Sequence, residues 1–294
     1  MSYYDDRRQV RRQKRRSVFS GMKLRLMIGA GIVLFSLFRF YSKGQTNPIT
    51  GKSQRVDMTI DQEIRMGIQS APQMGQPSTN PRARAHVEEV GMRLVTRLEQ
   101  YLYKLETPIR NPYKFEFHLL GDRRTVNAFA LPGGQVFITE ALYGQLENED
   151  QLAGVIGHEI GHVIERHGSE RMAKGSLIQG LVGAAGVAGG SMSSSSVASY
   201  VGNMAQMKYG RNDELESDEW GVRLMLLSGY EPEELLGVMD ILEKSAGGAG
   251  GTPEFLSTHP RPANRKEHIK GILKTIEQQM GAARVEELRR QVLQ

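Results

Sequence analysis

The stretch GVIGHEIGHVIERH, from Gly154 to His167, constrains this chain more than any other. His158 and His162 stand four residues apart, with Glu159 beside the first. On an α-helix, residues i and i+4 differ by about 40° in azimuth, so both imidazoles face the same way, one turn apart. Asn148 is an N-cap for such a helix, with Gln151 placed for a capping box. Gly154, Gly157 and Gly161 fall inside it, and each glycine costs a helix roughly 1 kcal/mol against alanine. Three in eight residues imply that another part of the chain packs very close. The fold must therefore bring a second element onto this helix.

Two histidines on one face can grip one ion. Glu159 lies about 100° round the helix from His158, beside an open metal position rather than on it. Zinc takes neutral imidazoles and lowers the pKa of a bound water to about 7; a neighbouring carboxylate can then carry that water's proton. This is the H-E-x-x-H arrangement of metal-dependent peptide hydrolysis. Catalytic zinc usually has three protein ligands. His167 is the nearest candidate, but nine residues from His158 on a continuous helix is about 180° away. It is therefore read as a surface or supporting residue, not a ligand. The stretch YGRNDELESDEWGV, Tyr209 to Val222, offers a better third ligand. Glu214 and Asp218 share one face of a second helix, expected to start near Asn212. Glu214 can reach the metal, and Asp218 can accept the free N–H of a ligand histidine. Alone, an acidic helix start is more often a cap complementing the helix dipole. Glu216 faces elsewhere and is read as solvated.

The 294 residues contain no cysteine. That excludes disulfides, thiolate metal sites and a cysteine nucleophile, so a metal must rest on His, Asp or Glu. The formal net charge is +5, and the first sixteen residues, with seven basic side chains against two acidic, account for all of it. The rest is formally neutral, and no nucleic-acid partner is expected.

Residues 1–23 read as a basic cytoplasmic tail. Leu24 to Tyr41 reads as a transmembrane signal anchor, with Arg25 and Arg39 snorkelling and Phe40 and Tyr41 at an interface. Leu26 to Phe38 is uncharged. A cleaved signal peptide is the rival reading, but no A-x-A-like site follows. The basic flank predicts the N-terminus inside and the remainder outside, most simply a bacterial inner membrane facing the periplasm. Residues 42–56 read as a linker and 57–294 as one catalytic domain. Within it, a short helix covers 57–69. Val87, Val90, Leu94, Leu98 and Leu102 mark an amphipathic helix. YKFEFHLL alternates as a half-buried strand, and TVNAFALPGGQVFITE reads as strand, turn, strand. The Gly/Ala/Ser-rich 175–205 segment reads as a mobile lid or a weak helix against the site. Pro232 opens a further helix, and Ile269, Ile272, Leu273 and Ile276 mark a closing one, with a last short helix after it. The fold class expected is α+β: a mostly helical, zincin-like metalloprotease domain with a small β-sheet, preceded by one N-terminal transmembrane helix.

The motifs together resemble the M48 zinc metallopeptidases, in their Oma1-like and bacterial periplasmic quality-control branch. HEIGH followed by RNDELESD carries the resemblance, and IDQEIRMGIQSAPQM, VNAFALPGGQVFITEAL and STHPRP match family segments in order. The resemblance implies one Zn²⁺ held by His158, His162 and Glu214, with Glu159 as general base and acid and Asp218 supporting a ligand. It implies that His259 lies near the metal, either stabilising the oxyanion or plugging the fourth position. Asn127, Ala128 and Phe129 would present an edge strand to an extended substrate backbone. Arg211 would support the site electrostatically. The function implied is a membrane-anchored zinc endopeptidase acting on polypeptides, misfolded envelope proteins among them. A holdase or assembly factor with a latched site is the alternative. A metal-dependent hydrolase of non-peptide substrates is a third reading, against which the edge strand speaks. Oligomeric state is unread.

Overall fold

The computed structural model describes residues 3–189, 208–246, 253–259 and 265–280, with side chains from residue 21 onward. The expected last short helix, the second half of the 175–205 segment and Pro260 to Pro262 lie outside these residues. Chain contacts define two compact units.

The first unit comprises Met1–Gln45, Arg55–Asp57 and Met172–Gln206. Helix α1 spans Tyr3–Ser42. Its Gly21–Ser42 part, with mean hydropathy 1.6, is long and apolar enough to cross a membrane, and no other described helix is. Leu26, Met27, Leu34, Phe35 and Phe38 are exposed there, as a lipid-facing surface would be. Helix α6, His167–Gly189, runs antiparallel to it from Met172 onward. Gly29 backs onto Ala184 and Ala188, and Ser36 onto Gly180. Arg39 and Lys43 pair with Asp57, each at 3.3 Å.

The second unit holds the remaining described residues. β1 (Gly44–Thr46) and β2 (Ser53–Arg55) form a two-stranded sheet. Helix α2 (Ile60–Ser70) starts with a capping box from Thr59 and Gln62. Helix α3 (Pro81–Tyr103) begins on the Asn80 cap with proline at its first position, where a missing N–H costs nothing. Its Val87, Val90, Leu94, Leu98 and Leu102 are all buried. A three-stranded sheet follows: β3 (Glu116–Leu120), β4 (Ala128–Leu131) and β5 (Gln135–Thr139), in the order β3-β5-β4. β3 is parallel to β5, pairing Phe117 with Val136; β4 is antiparallel, pairing Ala128 with Ile138. The Pro132-Gly133-Gly134 turn needs its glycines. Gly133 has φ +89° and would drive a Cβ to 2.4 Å from the Ile64 backbone.

A short helix, α4 (Glu140–Tyr143), leads to α5 (Glu149–Ile164), buried from Gln151 onward. Asn148 caps it, but the Gln151 side chain accepts from Glu147 N–H rather than closing a capping box. Helix α7 (Arg211–Ser228) packs along α5. It starts from Gly210, whose N–H donates to Asp213, and not from Asn212. It ends at Gly229 in the left-handed region. α8 (Glu234–Ala246), α9 (Glu254–Thr258) and α10 (Arg265–Met280) complete the described chain.

The expected linker does more than connect. Asn47 and Gln54 are buried and donate to the carbonyls of Ile164 and Glu165 at the end of α5. Those carbonyls have no partner within the helix, so the linker's amides let α5 end inside the core. Arg166 then takes φ +55°, outside helical space. Its guanidinium is fixed on Glu63 at 3.0 and 2.6 Å and on the Met58 carbonyl at 2.7 Å. The chain re-enters a helix at His167.

Candidate metal centre

The glycines of α5 let α7 come close enough to deliver its acids. A Cβ on Gly161 would sit 2.9 Å from the Ser217 backbone, and one on Gly157 would sit 3.3 Å from Gly221. Real Cβ atoms do not tolerate the first. Opposite these glycines, the imidazoles of His158 and His162 meet the carboxylate of Glu214, all three at most 2% exposed.

Five distances define the cluster. The two Nε2 atoms of His158 and His162 are 3.1 Å apart. His158 Nε2 is 3.6 Å from Glu214 Oε2, and His162 Nε2 is 3.5 Å from Glu214 Oε1. Nδ1 of His259 lies 3.0 Å from Glu214 Oε1 and 3.4 Å from His158 Nε2. Ligands bound at about 2.0–2.1 Å to a tetrahedral ion stand about 3.3 Å from one another. The observed separations bracket that value.

Proton placement makes the case sharper. His158 Nδ1 is 2.9 Å from Asp218 Oδ1, so that nitrogen carries the proton and donates it. The Nε2 atom is left with a lone pair. His162 stays neutral, because burial pushes its pKa well below the ordinary value; the Glu214 carboxylate only partly offsets that. The lone pairs of His158 and His162 then converge on a buried carboxylate. The trio holds no hydrogen-bond donor of its own, although His259 and Arg265 approach Glu214 from outside it, and facing lone pairs are costly in a dry interior. A divalent cation at their centre resolves the conflict, and these donors fit one.

The surrounding charges are set for the same end. Burial would raise the Glu214 carboxyl, but the charge of His259 beside it, with its hydrogen bond, holds it well below the ordinary range. Burial likewise opposes ionisation of Asp218, and Arg265 overcomes it. Arg265 reaches both Asp218 oxygens at 2.6 Å and Glu214 at 3.1 Å. Glu159 differs. Burial raises its pKa, the charge of His259 restraining the rise, and neither of its oxygens accepts a hydrogen bond from the described residues. A carboxylate so placed can take a proton and give it back. His259 is pulled up by Glu214 and Glu159 against its own burial. Its Nε2 is 3.6 Å from Glu159 Oε1, and its ring stacks on Phe255 at 4.4 Å.

The other expected residues fall in different places. Asn127 precedes β4, which is an edge of its sheet; Asn127 exchanges hydrogen bonds with Thr139, and Asn127 and Ala128 are buried while Phe129 is half-buried. Val126 accepts from Phe255 N–H, tying this strand entry to the helix that carries His259. Arg211 is exposed at the first position of α7. The buried guanidinium at the centre belongs instead to Arg265, which nothing in the sequence pattern marked.

Two sequence expectations are corrected. His167 is not on the far side of a continuous helix. The left-handed turn at Arg166 breaks α5, and His167 comes back with Nδ1 3.0 Å from His162 Nδ1. Glu216 is not simply solvated. It bonds His167 Nε2 at 3.0 Å and Lys52 Nζ at 2.8 Å, and its pKa falls to about 2, chiefly through the His167 bond.

The model of peptidase family M48 matches residues 88–273. The chain belongs to this family. The matched segment contains His158, Glu159, His162, Glu214, Asp218, His259 and Arg265, so the whole buried cluster lies within the M48 region. Two relatives place it further. The beta-barrel assembly-enhancing protease of Escherichia coli K12 is 32% identical over 77% of this chain and 47% of its own length. The mitochondrial metalloendopeptidase OMA1 of Schizosaccharomyces pombe is 26% identical over 83% of this chain and 69% of its own. The chain thus spans about half the length of the bacterial relatives it matches.

Proposed function

We propose that this M48 chain is a membrane-anchored, zinc-dependent endopeptidase that hydrolyses peptide bonds in proteins of the cell envelope. The observation that carries the proposal is the convergence of His158, His162 and Glu214 at ligand-to-ligand distances, beside a buried Glu159 that accepts no hydrogen bond from the described residues. A zinc ion there would supply an acidified water and polarise the scissile carbonyl.

The protein's own residues do the rest. Asp218 holds the His158 proton on Nδ1 and keeps its ring in place, and Arg265 neutralises Asp218. Glu159 takes the proton of the attacking water and delivers it to the leaving amide nitrogen. Its raised pKa suits both halves of that transfer. The free edge of β4, entered at Asn127, Ala128 and Phe129, offers main-chain groups to an extended peptide. The apolar part of α1 holds the chain in a membrane, with the basic residues before it on the inner side. The names of the relatives support a role in envelope-protein assembly or quality control.

A second reading follows from one observation. His158, Glu159, His162, Glu214 and His259 are each at most 2% exposed, so no polypeptide reaches them in this arrangement. His259 Nδ1 stands at ligand distance from the other donors, where it would fill the fourth position and latch the site. The same chain would then serve as a holdase or assembly factor until His259 withdraws.

The test uses purified full-length protein in detergent with casein or a misfolded envelope protein. Wild type should degrade it, and Glu159→Gln should bind zinc yet cleave nothing. Equal client binding by both proteins, with cleavage by neither even for His259→Ala, would favour the holdase.

A further inference from the structure

We infer that His167, backed by Glu216 and Lys52, is the residue that positions His162 for metal. The inference rests on the reading of His162 as a metal ligand, and it assigns a role to a histidine that lies outside the ligand set.

The geometry runs outward from the centre. His162 turns Nε2 toward His158 and Glu214 and Nδ1 toward His167, 3.0 Å away. A ligand nitrogen must be bare, so the His162 proton sits on Nδ1 and is donated to His167. His167 Nδ1 therefore accepts, which fixes its own proton on Nε2. That nitrogen is 3.0 Å from Glu216 Oε2, a carboxylate that can only accept. The other Glu216 oxygen takes a proton of the Lys52 ammonium at 2.8 Å. Lys52 is itself held by Glu165 at 3.1 Å, and Glu165 accepts the Trp220 indole N–H at 2.9 Å. Every donor in the series meets an acceptor, and the directions allow only one tautomer for each histidine. The face of His162 is fixed as well. Tyr209 stacks on it at 3.9 Å with planes 26° apart, and Arg171 lies over Tyr209 at 4.3 Å.

The two histidines are thus oriented by different means. His158 donates directly to a carboxylate backed by an arginine. His162 donates to an imidazole, and the carboxylate and its cation come one step later. The step is needed because α7 turns Glu214 and Asp218 toward the metal side of α5, while Glu216 emerges toward the end of α5. His167 bridges that distance only because α5 stops at Ile164 and Arg166 takes a left-handed φ.

Outer partners of metal-bound histidines are worth about 10–100-fold in metal affinity. The experiment measures zinc affinity of the full-length protein by competition with a chromophoric chelator, alongside the melting temperature of the metal-free form. His167→Phe keeps a ring but removes the acceptor; His167→Gln keeps an acceptor oxygen. Zinc affinity should fall about 10–100-fold in His167→Phe and recover most of that loss in His167→Gln, with the visible spectrum of the cobalt-substituted protein altered in the first and near wild type in the second. Wild-type affinity in His167→Phe would overturn the inference, and so would equal weakening in both variants, which would mean that His167 only fills space. Wild type without zinc affinity would instead overturn the ligand assignment beneath it.

Discussion

Helices α5 and α6 are both glycine-rich, and the glycines do opposite things. In α5, Gly157 and Gly161 face the backbone of α7, and a Cβ at Gly161 would meet Ser217 at 2.9 Å. In α6 the positions differ: a Cβ on Gly183 would meet nothing within 4 Å, while one on Gly180 would run into both Oγ and Cβ of Ser36. The α5 glycines are exchanged for a contact that brings Glu214 and Asp218 to His158 and His162. Gly183 lowers helix propensity with no comparable return. Composition alone treats the two helices alike; what distinguishes them is which backbone lies opposite.

Four substitutions break or sharpen that contrast. Glu159→Gln should have the largest effect, lowering peptide hydrolysis by about 10²–10⁴-fold while zinc stays bound; steady-state cleavage and metal analysis read it together. Glu63→Ala comes next. It strands the buried Arg166 guanidinium that sets the turn after α5, and breaking a buried pair costs about 3–5 kcal/mol. Urea denaturation should show it, with weaker zinc binding because His167 loses its place. Gly161→Ala forces α7 away and should cost about 1–3 kcal/mol, as overpacking does, again with weaker zinc binding. Gly183→Ala is the matched control in α6. It should be neutral or stabilising by up to about 1 kcal/mol. Equal effects of the two alanines would mean that the close contact between α5 and α7 is not what the α5 glycines are for.

Much of the centre was legible in the chain because it is local. The four-residue spacing of His158 and His162, and again of Glu214 and Asp218, is a helical repeat that needs no tertiary knowledge. The mostly helical α+β class and the strand-turn-strand unit followed from periodicity and the PGG turn. One helix start was misplaced slightly: Gly210, with no side chain, caps α7 because Asp213 reaches back to it. The larger misses all cross long separations. His167 was placed by a helix geometry that assumes continuity, and arginine carries no helix-stop signal. Arg166 is left-handed because Glu63, 103 positions earlier, holds it there. Lys52 and Glu216 are 164 positions apart. Arg265 lies in a helix start whose sequence resembles any basic surface turn, and its burial is decided by the two carboxylates it meets.

The measurement closest to the central claim is zinc titration of purified full-length protein and of Glu214→Gln. The claim is that the close α5–α7 contact assembles a three-residue metal centre from His158, His162 and Glu214. It predicts one zinc per chain for wild type, and at least about tenfold weaker binding once the Glu214 carboxylate is gone. Wild type without stoichiometric zinc, or Glu214→Gln binding as tightly as wild type, would contradict it.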